Sequence, residues 1–408
     1  MKFKMKNVNE NKLIKWMTFI TSMGDHFTFF SVVILTQQLF KNVWLSSYNV
    51  AIQALAIALG CFLVPKTLSR FKVRNIFFCT QFISMLAVLF LFFGIKNGTI
   101  HSPITLYSVL FIVTVLWQIY TAARESFSKN QTNHVSEHRT LQAEILEGFF
   151  SAQIFGPPLA AFLILKFNST LPLLIDGISF GICALLSLFV RSEIKLERKA
   201  SLLKPLKYFS EKPLLKKIFL LRTVGFWVPI SIFNLVLFPM AEEQFKNILS
   251  QGNELLGTAI FYSLLGFGAT VGTLSVRKGL FKSSFLDDGK LAFYCQIMMG
   301  TTMLLLIPNF NFFLNQLIFF INGTFMGINA LATQTIRRKL ATNEEFVEVI
   351  ALEPIFGRSI DYAVASICIL MPRSWWPIQL TAASCWLFVL ARKHLAFDQN
   401  NHHAKKNL

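Results

Sequence analysis

The chain has 408 residues, 54% of them hydrophobic, with 44 phenylalanines and a mean hydropathy of +0.53. A soluble core of that size needs fewer apolar side chains, and these apolar runs are too long for buried soluble helices, so a polytopic membrane protein is expected. The net charge of +18 suggests nucleic acid, but its placement argues against that reading, and six cysteines scattered singly with no CxxC indicate neither a disulfide framework nor a zinc site.

Apolar spans are read near 14–40, 45–67, 74–95, 103–124, 143–165, 171–190, 215–239, 255–276, 288–308, 312–336, 346–371 and 375–392. Of the 39 Lys and Arg residues, 32 fall on the side of the chain ends, five on the opposite side (Lys41, Lys96, Lys166, Lys246, Arg373), and Arg222 and Arg358 lie within spans. This asymmetry is the positive-inside pattern, which puts both termini in the cytoplasm. The first span follows a basic head, but its apolar part is longer than the roughly 7–15 residues of a signal peptide and lacks a small-residue cleavage site. It is expected to be a retained helix.

That first span, LIKWMTFITSMGDHFTFFSVVILTQQLF, holds a single carboxylate, Asp25, about 4.5 Å along the axis from its midpoint at Thr28. An ionised carboxylate at such depth costs at least about 2.5–3.5 kcal/mol on insertion scales, so it usually faces a polar interior or pathway. Thr18, Thr21, Ser22, Asp25 and Thr28 share one helical stripe. The stripe is either a packed polar interface between helices or the wall of a pathway. His26 points about 100° away from Asp25.

The fifth span opens with Glu144 and Glu147, of which Glu147 either borders a cavity or stands at the interface. The same span contains Gly156-Pro157-Pro158, where proline removes a backbone hydrogen bond and glycine admits a neighbouring helix. His134-Val-Ser-Glu-His138 matches the spacing of inverted zinc peptidases, but it falls in a short predicted turn without a third ligand, so no metal or other cofactor is expected. Asp176 lies some five residues inside the sixth span, shallow enough to reach water. The basic stretch 191–217, with two prolines, reads as a solvated linker touching anionic headgroups. It divides the chain into a six-helix bundle at 1–190, a linker at 191–214 and a second six-helix bundle with tail at 215–408. A substrate site is then expected near the midplane between the halves.

In the second half, Arg222 either snorkels or pairs with Asp25, while Arg358 and Asp361 stand at i, i+3 and can pair on one helix face. Glu353 precedes Pro354 and faces away from Arg358. Candidate cavity residues are Thr21, Thr28, Gln53, Trp117, Gln118, Gln153, Asn234, Tyr262, Asn329, Arg222 and Arg358. Proton-coupling candidates are Asp25, Asp361 and Glu147.

Four stretches carry a resemblance. Pro65-Lys-Thr-Leu-Ser-Arg-Phe-Lys-Val-Arg74 stands where a transporter family has G-x-L-x-D-R-x-G-R-K, TAARESFSKNQTNHVSEHRTLQAEI where it has a cytoplasmic turn, and Gly148 with Gly156-Pro157-Pro158-Leu159-Ala160-Ala161 where it has a signature ending G-P-x-x-G-G. Leu174-Ile-Asp-Gly-Ile-Ser-Phe180 opens the sixth span as that family does. The chain resembles the major facilitator superfamily, in its bacterial twelve-helix drug–proton antiporter branch with macrolide-efflux and siderophore-exporter relatives. The resemblance implies an all-α fold of two pseudo-symmetric six-helix bundles, no cofactor, and gating by Pro65, Ser69, Arg70, Arg74, Gly148, Gly156, Pro157 and Pro158. It departs at Ser69, where the family's latch-forming Asp is missing, so that latch is weakened or rebuilt.

The expected function is proton-coupled export of a small amphipathic molecule (a drug, siderophore or secondary metabolite) by a monomer in the cell membrane. An importer or facilitator with the same fold, or a non-transporting membrane sensor, are the alternatives. No nucleophile–base set suggests an enzyme, and no nucleic-acid partner is expected.

Overall fold

The computed structural model describes residues 10–40, 44–100, 102–130, 135–190, 204–220, 222, 254–280, 285–308, 312–342, 345–346, 348–349, 352–357, 377–379 and 381–391. Among them there is no strand. Helices are what a bilayer permits, because every main-chain polar group must be satisfied within its own segment. The first half contains α1 (Glu10–Phe40), α2 (Trp44–Arg70), α3 (Val73–Lys96), α4 (Pro103–Asn130), α5 (Val135–Lys166) and α6 (Leu171–Ser187). After them come α7 (Lys204–Glu211), α8 (Pro213–Leu220), α9 (Glu254–Arg277), α10 (Phe285–Leu306) and α11 (Phe312–Leu340). Seven helices among the described residues are long and apolar enough to cross a membrane, and Leu171–Ser187 and Pro377–Ala391 are shorter apolar helices. The expected spans at 215–239 and 346–371 lie largely outside the described residues.

Helix ends follow local chemistry. Gly98, at φ +65°, closes α3 and lets Thr99 N–H reach the Gly94 carbonyl at 2.8 Å. Asn168 Oδ1 accepts the N–H groups of Thr170 and Leu171 at 3.1 and 2.8 Å and starts α6. Two boundaries differ from the sequence reading. α5 begins at Val135, so most of the His134–His138 pattern lies in a helix rather than a turn, with His134 itself outside the described residues. α4 runs on to Asn130, which carries Arg124 inside a helix instead of a loop.

Within the first half α1 packs on α5 and α6, α3 on α4 and α6, and α2 on α4; later in the chain α11 packs on α9 and α10. α5 also lies along α9 and touches α11. Large apolar side chains such as Phe90, Phe155, Phe162 and Phe313 stay exposed on the outer helix faces, where a membrane protein meets lipid. The linker is not simply solvated. Phe209 of α7 and Leu215, Ile218 and Phe219 of α8 are buried in one core with Ile14, Phe77 and Phe127, because the apolar side chains of these short helices need cover.

A close helix contact joins α9 to α11 through paired glycines at i, i+4 spacing. Gly268 and Gly272 face the backbone of Phe320 and Thr324, and Gly323 and Gly327 face the carbonyls of Leu265 and Ala269. A Cβ at any of the four would fall inside 3.0 Å of that backbone, so neither helix can back away without losing the contact. Gly323→Val or Gly327→Val is expected to destabilise the protein by about 1–3 kcal/mol. A thermal melt in lipid nanodiscs checks this, and an unchanged midpoint contradicts it.

Lys212, between α7 and α8, pairs with Glu345 at 2.8 Å. Glu345 accepts the Thr342 N–H at 2.8 Å while Thr342 Oγ1 accepts the Glu345 N–H at 3.4 Å, a capping box beyond the end of α11. Burial by itself raises the Glu345 carboxyl, but the bonds from Lys212 and Thr342 outweigh it and hold the group below its ordinary 4.5. A depressed carboxyl stabilises the fold above its unfolded pKa and loses that effect as pH falls through the folded value. Glu345→Gln should therefore melt below the wild type at pH 7, with the gap closing as the pH falls below 4.5. A gap that stays constant down to acid pH argues against the pairing.

Candidate transport cavity

The polar stripe of α1 divides between two environments. Towards the end of the bundle that carries the Lys/Arg-rich connections, hereafter the basic end, its residues are packed. Thr18 is fully buried and accepts a hydrogen bond from Arg124 Nη1 at 3.3 Å, and Thr21 donates to Cys183 Sγ on α6 at 3.2 Å. Further along, Ser22, Asp25 and Thr28 line a cavity of about 330 Å³. One part of the stripe is thus a packed interface between helices, and the other lines a cavity.

The cavity is walled by α1, α2, α4, α5, α6 and α9. Besides the α1 residues it is lined by Gln53 and Ile57 of α2, by Leu110, Val113, Thr114 and Trp117 of α4, by Phe149 of α5, by Asp176 of α6 and by Tyr262 of α9. Trp117 offers its indole N–H to the Asp25 carboxylate. Thr28 donates to Asp176, and Ser179 Oγ donates to the same carboxylate at 3.1 Å. α1 and α6 come this close because position 24 is glycine, where any Cβ would meet Asp176 and Ser179.

Of the expected cavity residues, Thr28, Gln53, Trp117 and Tyr262 line it together with Asp25. Thr21 does not, since its hydroxyl is used between α1 and α6. Gln118 lies under Gly60 of α2, and Gln153 lies against Gly266 of α9, so both amides sit at helix crossings. Asn329 is buried on α11 away from the cavity lining. Asn234, Arg358 and Asp361 lie outside the described residues.

Arg222 and Asp176 differ from expectation, and Glu147 does not take the cavity position that is one of its two expected places. Arg222 neither snorkels nor reaches Asp25, because it pairs with Glu353 and donates to Thr333 Oγ1 at 2.9 Å. Glu353 also pairs with Arg337 of α11, so one carboxylate ties two guanidinium groups together. Glu147 does not line the cavity; it binds Lys15 of α1 at 2.8 Å and Arg277 of α9 at 2.9 Å, and Glu144 stands 3.7 Å from the same arginine. Asp176 is fully buried rather than reaching water, since α1 covers it. His26 also lines the cavity, one position on from Asp25.

The residues named for gating have local roles. Pro65 sits inside α2, Ser69 Oγ donates to the Lys66 carbonyl at 3.0 Å, and Arg70 is exposed at the helix end. α5 runs unbroken through Pro157 and Pro158. Cβ atoms at Gly148 and Gly156 would come within 2.7 Å of the Lys15 carbonyl and 2.9 Å of His26, so these glycines set the α1–α5 spacing.

A sequence model described as the Major Facilitator Superfamily matches residues 14–352. The chain belongs to the major facilitator superfamily. It is an all-α integral membrane transporter of that type. Solved structures agree on the fold. A bacterial homologue of the iron transporter ferroportin, in an outward-facing state, is 13% identical with a TM-score of 0.72, and the match covers 96% of this chain and 100% of that one. The human organic anion transporter MFSD10 (TETRAN) is 10% identical with a TM-score of 0.74, covering 96% and 100%. The nucleoside transporter NupG is 12% identical with a TM-score of 0.65, covering 95% and 100%. No curated protein sequence matches the chain.

The Glu353 arrangement is testable. Removing its charge leaves Arg222 and Arg337 without their shared partner, and breaking a buried ion pair costs about 3–5 kcal/mol. Glu353→Gln should lower the melting temperature markedly, and adding Arg337→Gln should recover part of the loss. A single variant as stable as the wild type would contradict this reading.

Proposed function

We propose that this transporter is a proton-driven exporter of a small amphipathic molecule, with Asp25 as the proton-coupling carboxylate. The observation that carries the reading is a carboxylate near the middle of α1 that lines a cavity with aromatic walls. An acid within a membrane span is a functional candidate by default. In this reading the basic end faces the cytoplasm, both chain termini lie there, and residues 1–190 and 215–408 rock about the cavity as two six-helix bundles.

Proton entry at Asp25 from outside neutralises the group and releases the passenger outward. Proton loss to the cytoplasm then resets the carrier. One proton crossing about 100 mV supplies roughly 2.3 kcal/mol, enough for about fifty-fold accumulation. Glu147, with Lys15 and Arg277, joins α1 and α5 to α9 at the basic end. In this reading it takes over the latch role that Ser69 cannot fill, and it opens when the halves separate on the cytoplasmic side. Since relatives of the same fold carry iron, organic anions or nucleosides by name, the passenger has to be argued from the cavity itself.

Asp25→Asn is expected to abolish export driven by an imposed pH gradient in proteoliposomes while leaving the protein folded and inserted. Export at the wild-type rate in that variant would overturn the assignment.

A further inference from the structure

The carboxylates inside the bundle divide into two kinds. Glu147 and Glu353 each hold two cationic side chains. Asp25 and Asp176, by contrast, have no ion pair among the described residues. Among the described residues the cation that acts on Asp25 is Arg124, which donates to Thr18 on the side of the basic end and does not line the cavity. A buried Asp176 and a half-buried Asp25 without an ion-pair partner are expensive to keep ionised, unless each takes up a proton or something cationic joins them.

The space in front of them indicates what that is. Ser22 and Thr114, each more than nine-tenths buried, add two hydroxyl groups to the lining of the same cavity. The remaining wall is largely aromatic, with Phe29, Phe149, Trp117 and Tyr262. Aromatic faces attract a cation that has given up its water, and they offer nothing to a metal ion that needs six or more oxygen ligands. Among the described residues no group of three or more His, Cys, Asp and Glu side chains could hold a metal. At about 330 Å³ the space suits a compact molecule.

We infer that Asp25 and Asp176 together form the counter-charge for an organic cation, a protonated amine or quaternary centre with an apolar body. Asp176 is a specificity residue of this site, positioned by Thr28 and Ser179. The inference rests on reading the cavity as the transport site, and it names the class of passenger.

Equilibrium binding to the full chain in lipid nanodiscs tests it, with empty discs as the blank. Three probes of similar shape are compared: tetraphenylphosphonium, neutral triphenylphosphine oxide and tetraphenylborate. The phosphonium should bind saturably and at least tenfold more tightly than the neutral probe, with no saturable binding of the borate. Asp176→Asn should weaken phosphonium binding at least tenfold, and Thr28→Val by a few-fold. Asp176→Glu, which keeps the charge, should bind within a few-fold of the wild type and guards against a folding defect. Equal binding of the neutral probe, or wild-type phosphonium binding by Asp176→Asn, overturns the inference. Transport separates this failure from that of the exporter reading. A neutral probe bound as tightly as the cation and moved by a pH gradient removes only the cation class. A phosphonium bound through Asp176 but not moved by the gradient removes only the exporter reading.

Discussion

Inside a bilayer a charged side chain has no water to fall back on, so its neighbours in the fold decide what it does. Glu353 draws Arg222 and Arg337 together and joins α11 to residues on both sides of it in sequence. Glu147 does the same for α1, α5 and α9. Asp25 and Asp176 face a cavity instead, held by hydroxyl and indole donors that orient a carboxylate without cancelling its charge. The difference in partners separates the carboxylates that pair with cations across helices from those that line a cavity.

Packing without side chains places these charges. Gly24 brings α6 against α1 so that Thr28 reaches Asp176. Gly148 and Gly156 bring α5 against α1, and Gly266 brings α9 against α5. α5 therefore touches helices from both halves of the chain, and its Glu147 end carries the charge cluster that links them. The glycine pairs between α9 and α11 hold a second close contact. In membranes such contacts rest on van der Waals packing and small residues, because lipid tails are as apolar as leucine.

Much of this was legible from the residues in order. Several apolar runs matched the helices to within a few residues, as in 74–95 against Val73–Lys96 and 255–276 against Glu254–Arg277, while α4 and α5 ran further at their basic ends. Asp25, Thr28, Gln53, Trp117 and Tyr262 were legible as cavity candidates because each interrupts an apolar run. The burial of Asp176 is not legible, because depth counted along one helix ignores the neighbour lying over it. Gly24 of α1, which faces Asp176 and Ser179, was the available signal. The paired glycines of α9 and α11 were also readable at i, i+4 spacing, whereas the partners of Arg222 were not, since Glu353 lies 131 positions away.

By itself the sequence determined the class of the molecule: an all-helical membrane protein whose hydropathy sets the helices and whose basic connections argue for an orientation. These follow from local physics, the length of an apolar run and the cost of leaving backbone or charge in lipid. Only the tertiary structure decided which carboxylate meets which cation and which polar residues share one space. Those pairings join helices far apart in the chain, and their geometry depends on how closely glycine lets backbones approach, which no local pattern specifies.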